Sequence, residues 1–408
     1  MTSLLSKHLL SLAVCTLVLL PATQGFAESP SRLIRAQHVH TMNGETMSPG
    51  AVLIEDGKIK LIQPSIDVDE SVETIDVEHL MPGLVDAYAQ ISSAGSDAEQ
   101  TSEVTPGFKT LRGVDWTSRQ FLELLDEGIT TAHILPGTDN VIAGMSAVVH
   151  TMPVGEELEP SILNDALGLV VSICRDPSSG NRARGRPDSI YMRQPTNRMG
   201  VVWIVRNALQ QASVKDDKDN LLAKALNGDI PVFCVSRTEV DISSSLQLAS
   251  DFNFKPTIFD AAEAYRLTDQ ISDAGTPVVV TTVPTSSDNN ALRGPEGTEL
   301  RWNSLGKLHN AEIPFAIAGG NLLDKARFAV RFGLPAEVAL SAITSSPASI
   351  LGVDDQVGSI RVGQPADLIG FDRDPLSFAA SMNLRMIKGE SIEIPEHSLV
   401  SQAESANE

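Results

Sequence analysis

His38 and His40 stand two residues apart in RAQHVHTM, and this spacing places both side chains on one side of a strand. Two imidazoles so arranged can serve one metal ion, but no third donor is identifiable nearby, and a solvated strand face is the simpler reading. Tyr88 and Gln90 share the same spacing in MPGLVDAYAQ. His133, in ITTAHILPG, reads either as a base or, more simply, as a hydrogen-bonded core histidine, and His309, in GKLHNAEIP, reads as surface. Cys174 and Cys234 lie in the apolar runs GLVVSIC and IPVFC and read as buried thiols, with a disulfide between them left open. The arginines at 182, 184, 186, 193 and 198 fall in a long Gly- and Pro-bearing stretch and read either as an anion site or as a solvated loop. Trp116, Trp203 and Trp302 read as core or loop anchors. The chain has no Gly-x-Ser-x-Gly elbow and no phosphate-binding P-loop.

The elements that must position these groups change character along the chain. Residues 31–80 alternate apolar and polar positions and turn at Asn43-Gly44 and Asp56-Gly57, which predicts a small antiparallel β module. From Met81 onward, apolar strand candidates such as ITTAHILPG, GLVVSIC, DIPVFCV, KPTIFDA, TPVVVTTVP and IPFAIAGG alternate with amphipathic helices. That alternation predicts a parallel sheet, and so many units favour a closed barrel. After residue 352, short strands with Gly turns return. The expected fold is therefore α/β: a (β/α)8 TIM-like barrel over 81–352, and a small composite β-sandwich module built from both chain ends, 31–80 and 353–395. Residues 396–408 are polar and read as a disordered tail.

Several segments resemble the amidohydrolase superfamily, in particular its imidazolonepropionase and dihydroorotase-like branch. They are MPGLVDA at 81–87, GITTAHILPGTDNVIAGMSAVV at 128–149, TNRMG at 196–200, and ALSAITSSPASILGVDDQVGSIRVGQPADLIGFDRDPL at 339–376. In that family GTDNVIAGM looks like a loop after a barrel strand. The resemblance implies a metal-dependent barrel acting on C–N bonds other than peptide bonds. One or two divalent ions would be held by His-x-His on the first strand, a carboxylated Lys or a Glu on the fourth, a His on each of the fifth and sixth, and an Asp on the eighth. The ion lowers the pKa of its water, and the Asp takes the proton.

Carried onto this chain, the first-strand pair falls on Tyr88 and Gln90 and the fourth-strand position near Cys174 or Arg175. The fifth-strand motif falls on Val235-Ser236-Arg237, with Asp241-Ile242 following, the sixth on Asp260, and the eighth on Gly319, Gly320 or Asn321. No imidazole remains at these positions. The expectation is a mouth filled by protein groups, in which Arg237 or Arg175 pairs with Asp260 in place of a metal. Tyr88, Gln90, Arg175, Arg237 and Asp260 are the pocket candidates.

Lys and Arg total 31 against 52 acids, a net charge of −21, which argues against nucleic acid as a partner. The N-terminal stretch has one Lys, an apolar run from Leu9 to Leu20 and a small-x-small site before Glu28, and so reads as a signal peptide over 1–27. The run is too short for a stop-transfer helix, so no stable membrane insertion is expected, and lipidation at Cys15 is disfavoured by Val14. The mature chain is expected to be exported, periplasmic or extracellular. Two functional readings stand. One is a pseudoenzyme without metal that binds a small molecule at the barrel mouth or assembles as a homo-oligomer, or as a hetero-oligomer with an active relative. The other is an active hydrolase of cyclic amides with a rearranged site, for which zinc or another divalent metal would be the cofactor.

Overall fold

The computed structural model describes residues 31–44, 46–89, 91, 99, 101–152, 161–179, 194–214, 219–285 and 292–394. The signal-like segment, Gln90, the arginines at 182, 184, 186 and 193, and the polar tail lie outside the described residues.

The first four strands are β1 (Arg32–Val39), β2 (Gly50–Glu55), β3 (Lys58–Gln63) and β4 (Glu73–Pro82). Asp56 and Gly57 both take positive φ, 51° and 73°, in the two-residue turn joining β2 to β3, as the Asp-Gly pair requires. The expectation of an all-antiparallel module is corrected at β4. This strand crosses over and lies parallel to β1, with His38 opposite His79. At the other end of the chain, β15 (Leu368–Phe371), β16 (Met382–Ile387) and β17 (Glu390–Ser391) complete a seven-stranded sheet of order β17-β16-β15-β4-β1-β2-β3. Both chain ends thus share one sheet.

Between these ends run β5 (Leu84–Ala89), α1 (Gln120–Asp126), β6 (Ile129–Ile134), β7 (Ile142–Met145), β8 (Ala147–His150), β9 (Ile162–Asn164), β10 (Leu169–Ser172), α2 (Asp176–Ser179), α3 (Arg198–Val214) and α4 (Leu221–Asn227). They are followed by β11 (Val232–Val235), α5 (Glu239–Phe252), β12 (Pro256–Phe259), α6 (Thr268–Asp273), β13 (Val278–Val280), α7 (Ser304–Asn310), β14 (Phe315–Ile317), α8 (Leu322–Arg331), α9 (Ala336–Ser341) and α10 (Ser345–Ile350). β7 lies within GTDNVIAGM, so part of the stretch expected as a loop is buried strand.

Strands β10 to β14 are parallel neighbours in a six-stranded sheet that β7 closes antiparallel, while β5, β6, β8 and β9 form a second sheet of four. Among the described residues the strands do not close into one hydrogen-bonded ring, which corrects the closed-barrel expectation. The physical reason lies at the two seams. On one side β7 and β8 are a single chain segment bent at Ser146, so the sheets meet through a kink. On the other, the turn between α9 and α10 stands between the sheet edges: Ala342 O accepts from Ile317 N at 2.8 Å and Ile343 O from Val85 N at 3.0 Å.

Alternation along the strands divides the core in two. Leu169, Val171, Val232, Cys234, Val278 and Ile317 pack outward in one cluster with α3, α5 and α8 residues. Val170, Phe233, Val235, Val279 and Ala316 point the other way, into a cluster that also holds Val85, Tyr88 and Val148 of the second sheet. Both sheets therefore share one apolar interior, and their C-terminal strand ends face a common opening.

α5 shows how local sequence sets an element. Thr238 caps its N-terminus in a capping box with Asp241, which satisfies two backbone donors, and Asn253 ends it in the left-handed conformation. Arg198, at the start of α3, is ion-paired to Asp241, so this member of the arginine cluster is engaged internally. Trp116 and Trp302 stack on Phe121 and Phe332 as anchors. Trp203 departs from that expectation: it is 60% exposed on the outer face of α3.

Candidate functional site

Arg237 leaves the end of β11 and is 8% exposed. Its Nε donates to Asp260, the residue just after β12, while its Nη1 donates to Asp176 Oδ1 at 2.7 Å and Glu296 Oε1 at 2.8 Å. One guanidinium thus serves three carboxylates, a planar fork with enough donors to do so. Thr281, after β13, donates to the other oxygen of Asp260, and Thr138 donates to Asp176 Oδ2 at 2.6 Å. Asp260 takes a positive φ of 58°, an unfavourable backbone state for a residue with a Cβ, and these bonds hold it there.

Protonation follows from the packing. Burial pushes the Asp260 carboxyl above its ordinary range, opposed by the Arg237 charge. Burial also acts on Asp176, but hydrogen bonds from Arg237 and Thr138 bring it below the ordinary value. Burial works against the Arg237 cation, and its bond to Asp176 with the surrounding charges more than restores it. The Tyr88 phenol is raised by burial and then by Asp260, so it is no base near neutral pH. Its ring lies 6.3 Å from that of Phe259, in the shared interior. Burial likewise raises the Cys174 thiol, and it pushes Cys234 up to about 12. Both cysteines are free and buried, so no disulfide joins them.

A second cation sits at the end of β14. Gly319, Gly320 and Asn321 have φ of 81°, 69° and 50°, and three such residues in succession turn their N–H groups outward as an anion-binding nest. Asp86 Oδ1 accepts from Gly319 N and Oδ2 from Gly320 N, both at 2.8 Å, and Asp86 Oδ1 also accepts from Tyr88 N at 2.9 Å. Glu127 Oε2 accepts from Asn321 N at 2.5 Å. Behind the nest, Lys325 Nζ donates to Ala318 O at 2.7 Å and Gly319 O at 2.9 Å. Burial lowers the Lys325 pKa, partly offset by Asp86 and Glu127, and burial raises that of Glu127.

The structure brings Tyr88, Arg237 and Asp260 together at the opening. Val235 is a buried core residue with no polar group to offer, and Gly320 contributes a backbone donor. Gln90 lies outside the described residues. Arg175 departs from the expectation of a partner for Asp260. It is exposed, and its backbone N, not its guanidinium, donates to Glu296 Oε1 at 3.2 Å. Sequence reasoning missed Asp176, Glu296, Lys325, Glu127 and Thr281 as members. Asp176 stands two residues after Cys174 at the end of β10, the one local signal available; Glu296 lies in a turn with no motif. His133 is a core residue: its Nδ1 meets Ala87 O and its Nε2 Ser146 Oγ, each at 2.8 Å, and burial lowers it to about 4.

Beside the cluster, after β5 and β6, a cavity of about 550 Å3 is lined by Ile91, Phe108, Lys109, Arg112, Ile134 and Leu135. Pro136 and Gly137 also line it, and Thr138, next in the sequence, donates to Asp176.

The family model described as the amidohydrolase family matches residues 262–394. That stretch, about a third of the chain, resembles the amidohydrolase family. A curated relative, amidohydrolase tasK of Hapsidospora irregularis, is 24% identical over 386 residues, covering 81% of this chain and 38% of its own length. The chain thus spans well under half of that relative. Among solved structures, an amidohydrolase from Thermotoga maritima MSB8 matches with a TM-score of 0.76 at 24% identity, covering 88% of this chain and 99% of that one. Ochratoxinase of A. niger matches at 0.54 and 15%, covering 90% and 96%. At these identities the structural likeness is one of fold, a mixed α/β architecture.

Amidohydrolases usually carry a divalent metal, and the donors of this amidohydrolase-like chain can be tested against one. Oxygens of Asp176 and Glu296 and the sulfur of Cys174 lie within 4.8 Å of one another, a spacing that three ligands of one ion could have. Yet Arg237 Nη1 already bonds both carboxylates, and the Cys174 sulfur is kept a thiol by burial and by Asp176. A divalent ion there would face a fixed guanidinium, and ligation needs deprotonated donors. The residues present do not fit the metal.

Proposed function

We propose that this chain is an amidohydrolase-fold protein whose mouth is closed by its own cations, and that it acts by binding and not by metal-assisted C–N hydrolysis. The observation that carries the reading is Arg237, at a strand end where relatives of this fold would place a metal ligand, bonded to Asp260 at the next strand end and to Asp176 and Glu296. In this reading the two sheets, open at their seams, make one barrel-like frame over 81–352, supported by their shared interior, with a composite module from 31–80 and 353–395. The replaced ligand positions are those of the imidazolonepropionase-like branch.

A small molecule of largely apolar character would occupy the 550 Å3 cavity, a size common for ligand sites. The partner would otherwise be a second copy or an active relative. Export to the periplasm or exterior follows from the reading of residues 1–27 as a signal peptide; no described helix is long and apolar enough to cross a membrane.

The test is metal content and turnover together: the mature chain is supplied with zinc, nickel and manganese, dialysed, and assayed on cyclic amides. No turnover, and no ion whose retention depends on Asp176, Asp260 or Glu296, is expected. Turnover with an ion lost in Asp176→Asn would overturn the reading in favour of an active hydrolase with a rearranged centre. The specific observation on that side is the spacing of Cys174, Asp176 and Glu296.

A further inference from the structure

The His-x-His at 38 and 40 acquires in the fold the third imidazole that the sequence does not reveal. β1 and β4 run parallel with His38 paired to His79, and His40, two residues on, points to the same face. The His38 and His79 rings stack with centroids 4.5 Å apart, and those of His40 and His79 lie 5.3 Å apart. His40 Nε2 and His79 Nδ1 approach to 3.0 Å. Two nitrogens bound to one ion at about 2.0–2.1 Å stand about 3.0–3.4 Å apart, so this pair already has ligand spacing.

The outer nitrogens are oriented in the manner of ligating histidines. Ser48 Oγ lies 2.8 Å from His38 Nδ1, and Thr46 Oγ1 3.5 Å from His40 Nδ1, which fixes ring orientation and leaves each Nε2 for a ligand. All three rings are only partly buried, so an ion has a route in.

We propose that His40 and His79 bind one divalent transition ion of the imidazole-preferring kind, such as zinc, nickel or copper(II), with His38 reaching it by a turn of its ring. The chemistry of the donors decides the class: neutral imidazoles suit these ions, whereas magnesium and calcium take oxygen ligands. The site lies on the seven-stranded sheet and is independent of the Arg237 cluster.

The test is calorimetric titration of the full mature chain, stripped with EDTA, with zinc and then copper(II). Wild type is compared with His40→Gln, His79→Gln and His38→Gln, and copper electron paramagnetic resonance counts the nitrogen ligands. One ion per chain is expected, with affinity weakened about a hundredfold or more in His40→Gln and His79→Gln, less in His38→Gln, and two or three nitrogens in the copper spectrum. Each variant should still unfold cooperatively in EDTA; should one fail to fold, the nitrogen count on wild type decides. Absence of a stoichiometric ion, or an ion bound equally by all three variants, would overturn the proposal. An ion retained in those variants but lost in Asp176→Asn would instead count against the metal-free reading of the mouth.

Discussion

The mouth above β10–β14 and the histidine face on β1 and β4 are both rich in potential ligands, yet they differ in what those ligands are already doing. At the mouth every carboxylate is committed: Asp176, Asp260 and Glu296 to Arg237, and Asp86 and Glu127 to the backbone nest backed by Lys325. On the sheet, the His40 Nε2 and His79 Nδ1 atoms are bonded only to each other, with Thr46 on the outer nitrogen of His40 and the His38 ring stacked on His79. A divalent ion at the mouth would have to displace a fixed cation and relocate a strained loop, whereas on the sheet it replaces one weak hydrogen bond. Ligand-type residues do not make a metal site; uncompensated donors do.

The comparison is broken most directly at Arg237. Arg237→Met leaves three neighbouring carboxylates without their shared cation, and the loss should be about 3–5 kcal/mol of unfolding free energy in urea at pH 7. The loss should shrink in acid, where the carboxyls protonate. A change below about 1 kcal/mol would mean that the cluster is not what holds the mouth together. Next comes Asp86→Ala, which strips the acceptor from the Gly319 and Gly320 N–H groups and should cost about 2–3 kcal/mol by the same measurement.

Lys325→Met is expected to be milder, about 1 kcal/mol in either direction. Burial already disfavours the charge, and the methionine fills similar volume, but two carbonyls lose a donor. Urea unfolding of this variant, compared with Arg237→Met, ranks the two cations.

On the sheet the expected effect is a pH dependence, and its sign is fixed by the direction of the shift. His40 has a folded-state value of about 4 against an ordinary 6.5, so the folded chain binds its proton less readily than the unfolded one. Its stabilising contribution is present above pH 6.5 and lost as pH falls through 6.5 toward 4. The difference in urea midpoint between wild type and His40→Gln should therefore narrow over that window. A constant difference would show that burial does not disfavour the charged ring.

Local features were legible in the sequence and long-range ones were not. The Asp56-Gly57 hairpin, the strands from β6 to β14 and the helices between them follow from patterning within a dozen residues. Arg237 and Asp260 were identified as candidates because they occupy adjacent strand ends, positions that the resemblance marks. Asp176 and Glu296 stand 61 and 59 residues from Arg237, and no periodicity links them. His79 was hidden for a related reason. An antiparallel meander leaves it no place beside His38, and only the crossover to a parallel β4 provides one. The expectation of a closed ring failed because no sequence pattern reports that Ala342 and Ile343 stand between two sheet edges.

The sheet shared by both chain ends also imposes an order of events. β4 pairs with β1 early, but its other edge finds β15 only when Leu80 meets Gly370, 290 positions later. During synthesis those 290 residues must follow β4 before that edge is covered, and such long-range pairing is slow. Until then the nascent molecule carries an open strand edge, the kind of surface on which chains aggregate.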